Sequence, residues 1–106
     1  MGFSLEVDTR AFMRKVEQKV EQGMRDAAKL VESKAKQLVP VDTGALKASI
    51  DYELKRVGTS YRASVFATEH YALLIEFGTR NANAQPYLRP ALFNNRQDIL
   101  RKVVGK

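Results

Sequence analysis

MRKVEQKVEQGMRDAAKLVESKAKQL, residues Met13–Leu38, carries the pattern that decides the fold. Met13, Val16, Val20, Met24, Ala27, Val31, Ala35 and Leu38 follow one another at intervals of 3, 4, 4, 3, 4, 4 and 3 residues. The mean interval lies close to the helical period of about 3.6, so these residues form one apolar stripe along an amphipathic helix. The other side carries Glu17, Glu21, Arg25 and Lys29, then Glu32 and Lys36, at i, i+4 steps. Its opposite-charge pairs, Glu21–Arg25 and Glu32–Lys36, support the helix. Asp8 and Thr9 offer N-cap oxygens. Pro40 ends the helix, because the residue before a proline is pushed out of the right-handed helical region. A continuous helix from Thr9 to Leu38 would be about 45 Å long. Its stripe is expected to lie mostly on a sheet, with part available to a neighbouring subunit. Gly23, in the middle, costs about 1 kcal/mol relative to Ala and marks a slight bend or a close approach.

On either side of the helix the period changes from helical to alternating. Phe3, Leu5 and Val7 alternate with polar residues as in a short strand. Ile50, Tyr52 and Leu54 alternate with Asp51, Glu53 and Lys55, and Tyr61, Ala63, Val65 and Ala67 alternate with Arg62, Ser64 and Phe66. Gly58-Thr59-Ser60 supplies turn chemistry between them, so the two runs predict a β-hairpin. Between helix and hairpin, Asp42 or Thr43 can cap a short helical turn through Ala45-Leu46-Lys47. From His70 to Phe77 a short helix is favoured over a strand, with Gly78 as the left-handed residue after its end. Thr79–Gln85 is polar and reads as a loop. Pro86 fixes an extended entry, and Pro90 fits the first position of a last helix containing Leu92, Ile99, Leu100 and Val103. These elements predict a small α+β fold in one domain, residues 1–106: a long N-terminal helix, a small antiparallel sheet and a short C-terminal helix.

Composition narrows the function less than the fold. The chain has 106 residues, enough for one core, and 44% of them are hydrophobic, so most of it is expected to fold. It contains no Cys, which excludes disulfides and thiolate metal sites. No apolar run approaches the roughly 20 residues of a membrane-spanning helix. The N-terminus lacks a basic stretch followed by an apolar one, so no secretory signal is expected, and Met1-Gly2 is a weak acylation match. The net charge is +6, but basic residues are mixed with acidic ones except near the C-terminus, where Arg96, Arg101, Lys102 and Lys106 face Asp98 alone. A solvated surface accounts for that balance, with non-specific DNA contact as the functional counterpart.

The residues offer little chemistry. His70 is the single histidine, and no activated Ser or Lys accompanies His70 and Glu76. Val57-Gly58-Thr59 and Phe77-Gly78-Thr79 lack the further glycines and lysine of a phosphate-binding loop. No catalytic, cofactor or metal site is assigned. Tyr61, Arg62, Phe66 and Tyr71 would suit base stacking on a sheet, but Tyr61 shares its face with Ala63 and Val65, which favours core packing. The odd residue is Glu76, inside the apolar run Tyr71-Ala-Leu-Leu-Ile-Glu-Phe77. A carboxylate buried there needs a partner. Arg80 or Arg89 would supply one and so fix the loop from Gly78 to Pro86.

Three segments in series carry a resemblance. The first contains Pro40, Asp42, Thr43, Gly44, Leu46, Ser49 and Ile50; the second Tyr71, Ala72, Glu76, Phe77, Gly78 and Thr79; the third Gln85, Pro86, Tyr87, Leu88, Pro90 and Ala91. Together, over about residues 10 to 104, they resemble the neck, or head–tail joining, tail-component family of long-tailed bacteriophages and prophages. Tyr87 departs from the Phe more usual there. The resemblance implies a long helix on a small sheet and a non-enzymatic virion structural protein at the head–tail junction. Such a protein would form a ring and contact other connector and tail proteins, after assembly in the bacterial host cytoplasm. It implies no cofactor and no membrane. The motif residues also have plain structural roles as caps, turns and core inserts, so partner contacts are expected between the motifs, at Arg80, Asn81 and Asn83. The alternative reading is a small basic nucleic-acid-binding module; a third is a tail-length or tail-sheath assembly factor.

Overall fold

A computed structural model describes residues 2–8, 17–40, 44–58 and 60–104. The chain runs β1 (Gly2–Asp8), α1 (Glu17–Leu38), α2 (Ala45–Ser49), β2 (Ile50–Val57), β3 (Ser60–Ala67), α3 (Ala72–Phe77), α4 (Leu88–Phe93) and α5 (Arg96–Val104). The architecture is α+β: a long helix, a three-stranded antiparallel sheet and short C-terminal helices.

β3 is the central strand, in the order β1-β3-β2. Val57 pairs with Ser60, so the hairpin turns over two residues, and Gly58 opens the turn with φ 61°. That left-handed value suits glycine and the twist of a tight hairpin. Thr59 lies outside the described residues. Opposite residues share a face, so Phe3 and Leu5 of β1 align with Val65 and Ala63 of β3 and with Tyr52 and Leu54 of β2. This face is the inner one: Tyr61, Ala63, Val65 and Ala67 are all buried. The outer face carries Glu6, Asp51, Glu53, Lys55 and Arg62, with ion pairs Arg62–Glu6 at 3.3 Å and Lys55–Glu53 at 3.5 Å.

α1 lays Val20, Met24, Ala27, Ala28, Val31, Ala35 and Val39 on the core side, all buried. The stripe ends at Val39 rather than Leu38, which is 49% exposed. The step of four from Ala35 keeps Val39 on the inner face, and its N–H still donates to Ala35 O at 3.0 Å. The 22 described residues of α1 span about 33 Å; Thr9, Met13 and Val16 lie outside the described residues. On the solvent side Lys36–Glu32 at 2.9 Å and Arg25–Glu21 at 3.7 Å form the expected pairs.

Gly23 is a close-approach glycine. A Cβ there would collide with the Lys102 and Val103 carbonyl oxygens and lie 2.9 Å from Val103 Cα, so α5 rests directly on the α1 backbone. The C-terminal segment differs from the single helix expected. It breaks at Asn94-Asn95, where Asn95 Nδ2 donates to Ala91 O at 2.8 Å and Asn95 O accepts the Ile99 N–H at 2.9 Å, closing α4 and opening α5. Ile99 and Val103 face the core, while Leu100 points outward at 60% exposure.

Candidate functional site

The first motif segment forms α2 and its exit. Gly44 holds the N-cap position with φ 73°, and Asp42 and Thr43 lie outside the described residues. Leu46 and Ile50 are buried. Ser49 ties the segment to the next one: its hydroxyl donates to Leu46 O at 2.8 Å and accepts the Glu69 N–H at 3.4 Å. The start of β2 is thereby fixed against the chain that leaves β3 for α3.

The second segment forms α3, with Tyr71 at its N-cap and Gly78 after its end. Ala72 and Glu76 point inward at the i, i+4 spacing, and Glu76 is 0% exposed. Gly78 has φ 79° and ψ 176°, so it leaves the helix through the extended, glycine-only region rather than the left-handed helical one. A Cβ on it would lie 2.7 Å from Ala84 N and 3.0 Å from Ala82 O. The residue is therefore required by conformation and by space.

The third segment enters through Tyr87 and Leu88, 0% and 1% exposed, beside the exposed Pro86. It forms α4, whose first residues are Leu88, Arg89 and Pro90. Pro90 is thus the third helical residue, not the first. It is tolerated there because the N–H groups of the first turn have no acceptor inside the helix.

Glu76 joins the second segment to the third. Its Oε1 accepts the main-chain N–H groups of Tyr87 at 2.9 Å and Leu88 at 2.8 Å. Its Oε2 accepts the N–H of Arg89 at 3.1 Å and the Arg89 Nε–H at 2.9 Å. Arg89 Nη2 also donates to Glu76 O at 2.8 Å. The carboxylate therefore caps α4 from outside the helix, supplying the acceptors that the first turn lacks and a negative charge at its positive end. Burial alone would raise the Glu76 pKa. The hydrogen bonds from Tyr87, Leu88 and the Arg89 side chain and main chain outweigh it and hold the carboxyl below its ordinary value. Tyr87 is pushed up to about 12 by burial, by the Glu76 charge and by Tyr71. Its hydroxyl donates to Ala72 O at 3.3 Å.

The arrangement closes the loop between α3 and α4. Gly78 N–H donates to Leu74 O at 2.7 Å and Gln85 N–H to Ile75 O at 2.8 Å, so both ends of the loop are bound to α3. Thr79 and Ala82 exchange main-chain bonds at 2.8 and 3.4 Å, and Thr79 Oγ1 accepts the Asn81 N–H at 3.2 Å. Arg80, Asn81 and Asn83 stand exposed on this frame. Phe77 faces outward at 50% exposure with the Arg89 guanidinium 4.3 Å above its ring. Of the two arginines considered as partners for Glu76, Arg89 takes the role and Arg80 stands at the exposed tip. The main-chain donors on Glu76 had no signal in the residue types.

No group of three or more His, Cys, Asp and Glu side chains that could hold a metal occurs among the described residues. No helix among them is long and apolar enough to cross a membrane. Tyr61 is 6% exposed and packs in the core, with the Arg56 guanidinium 5.5 Å from its ring centre.

No curated protein and no solved structure matches the chain. A family model does: that of the bacteriophage HK97-gp10-like tail components matches residues 6–78. The match begins in β1 and ends at Gly78, so Gln85–Ala91 and the rest of the C-terminal segment lie beyond it. A tail component is a structural part of the virion, and its partners are other phage structural proteins. By this match the chain belongs to the HK97-gp10-like family of bacteriophage tail components.

Proposed function

We propose that the chain is a structural subunit of the head–tail junction of a long-tailed phage or prophage. It joins the filled head to the tail or completes the tail, without catalysis and without a cofactor. In this reading residues 1–106 act as one domain, copies associate into a ring during assembly in the host cytoplasm, and connector and tail proteins are the partners. The motif residues Gly44, Leu46, Ser49, Tyr71, Glu76, Phe77, Gly78, Thr79, Gln85, Pro86, Tyr87, Leu88 and Pro90, with Asp42 and Thr43 outside the described residues, build the frame. Arg80, Asn81 and Asn83 make the contact.

Membership of the tail-component family supports the class of role. The observation that carries the finer reading is the buried Glu76 cap, which holds a polar loop at both ends and leaves its tip in solvent. Rigidly held exposed loops are where binding surfaces concentrate. The basic α5, with Arg96, Arg101 and Lys102 exposed, is compatible with non-specific DNA contact inside such a ring. Base stacking on the sheet draws no support from Tyr61, which is buried.

Electron microscopy of particles from a phage or induced prophage lacking the gene tests the role. Filled heads accumulating apart from free tails are expected; normal infectious virions would overturn it. Fluorescence anisotropy with labelled DNA across a salt series tests the nucleic-acid alternative, which requires binding at about 0.15 M ionic strength with a steep salt slope.

A further inference from the structure

Both edges of the sheet are open among the described residues. β1 and β2 are its outer strands, with β3 between them. Apart from the Ile50 N–H, which donates to Lys47 O, neither strand bonds its main chain to a described segment other than β3. Each pairs with β3 without a break, over seven and eight residues, so no bulge turns an edge away, and neither contains proline. Open edges of this kind are templates for a further strand. The Tyr52 N–H also donates to Asp51 Oδ1 at 2.8 Å, in a solvent-exposed bond that an incoming strand can displace.

The inner face is incompletely covered at both edges. Ala63 and Val65 of β3 are buried, whereas Phe3 and Leu5 of β1 and Tyr52 and Leu54 of β2 are half-buried. The outer face is unbalanced at the β2 edge. Lys55 stands directly opposite Arg62, and like charges so placed destabilise a strand pair. Arg62 is offset from the β1 side by Glu6, at 3.3 Å. Lys55 reaches Glu53 along its own strand at 3.5 Å, and beside it lies the open edge.

β1 and β2 both run antiparallel to β3 and therefore in the same direction. A second copy in the same orientation brings its β1 alongside β2 in parallel. In the register that continues the existing rows across the sheet, Phe3 of the second copy lies beside Tyr52, Leu5 beside Leu54 and Glu6 beside Lys55. The half-buried apolar residues then cover one another, and each Glu6 stands between Arg62 of its own copy and Lys55 of the next. An antiparallel approach that keeps Leu5 beside Leu54 sets Glu6 against Glu53 instead, two like charges.

We propose that the open edge of β2 pairs in parallel with β1 of a second copy of this chain, joining the two sheets into one. This rests on the self-assembling reading above and assigns the two edges that touch. Because the paired strands are different ones, the contact is head-to-tail and repeats from copy to copy, as a ring requires. It uses none of Arg80, Asn81 and Asn83.

The chain contains no cysteine, so any disulfide must come from introduced residues. Ser4→Cys, Glu53→Cys and Lys55→Cys change exposed positions of the outer face. The three chains are purified separately, mixed in pairs under mild oxidation and resolved by mass. The parallel register sets residue 4 beside residue 53, so the mixed 4–53 dimer is expected to be the main product and the 4–55 dimer a minor one. Sedimentation of the native chain up to high concentration, with Lys55→Glu beside it, supplies the second readout. Lys55→Glu is expected to weaken self-association by about 5-fold, as for one cross-strand charge pair. A 4–55 dimer in excess of the 4–53 dimer would overturn the parallel register. Symmetric 4–4 or 53–53 dimers as the main products, with the native chain still associating, would overturn the edge assignment and leave ring formation standing. A native chain that stays monomeric and gives no adduct would overturn both.

Discussion

The Glu76 carboxylate and the Leu88 main-chain N–H, twelve positions apart in sequence, meet at 2.8 Å. Around that bond gather the N–H groups of Tyr87 and Arg89 and the Arg89 guanidinium, so one side chain satisfies the start of α4. Glu76→Ala removes the acceptor for all of them and leaves a charged partner against a buried pocket. A loss of about 3 kcal/mol is expected, the lower end of the range for breaking a buried pair, because Arg89 is partly solvated. Thermal unfolding should show a fall in Tm of at least about 10 °C, and amide exchange at Gln85 should accelerate. An unchanged Tm would remove the cap from its place in the fold.

The same carboxylate sets an acid limit. Its folded pKa lies below the ordinary value of 4.5, so the unfolded chain binds the proton more readily. The contribution of Glu76 to stability is therefore complete above that ordinary value and is lost as pH falls through the lower, folded one. Urea midpoints measured from neutral pH downward should hold flat and then drop below about pH 4.5, with Glu76→Gln starting lower and dropping less. Parallel curves for the two proteins would sink this assignment.

Gly23→Ala separates helix propensity from packing by sign. In an exposed helix the change would stabilise by about 1 kcal/mol. Here the added methyl meets the Lys102 and Val103 main chain, which has no flexible side chain to give way. The expected result is destabilisation by about 1–3 kcal/mol, read from chemical denaturation. A gain in stability would mean that α5 does not rest on α1 at this point.

Gly78→Ala should loosen the α3–α4 loop specifically. The residue combines φ 79° with ψ 176°, and a Cβ would lie 3.1 Å from Ala84 Cα. A cost of about 1–3 kcal/mol is expected. It should concentrate in faster exchange at Thr79, Ala82 and Gln85, with the amides of β3 little changed.

Much of this was legible in the residues. The α1 stripe, the hairpin and the oddness of Glu76 all follow from side-chain type against period, and Arg89 was one of two cations in reach of that carboxylate. What escaped had no side-chain signature. Three of the donors on Glu76 are main-chain N–H groups, which every non-proline residue carries, so only the tertiary fold selects those of Tyr87, Leu88 and Arg89. Leu38 and Val39 are equally apolar, and one residue of helical phase decided which was buried. The division of the C-terminal helix turns on Asn95, whose side chain donates to Ala91 O, while Leu92, Ile99 and Val103 keep helical spacing across it. Tyr71–Phe77 reads as one apolar run around Glu76, and hydropathy alone does not say which side of a six-residue helix leaves Leu73, Leu74 and Phe77 exposed.

The hydrogen bonds that hold the α3–α4 loop run through main-chain groups, the Thr79 hydroxyl and Glu76, and none uses a side chain of Arg80, Asn81 or Asn83. The tip is thus uncoupled from its own scaffold. Residues 80, 81 and 83 can be exchanged one after another without disturbing the frame that presents them. Under the proposed role of this tip, a change of partner is met there by ordinary point mutation, at no cost to the fold beneath.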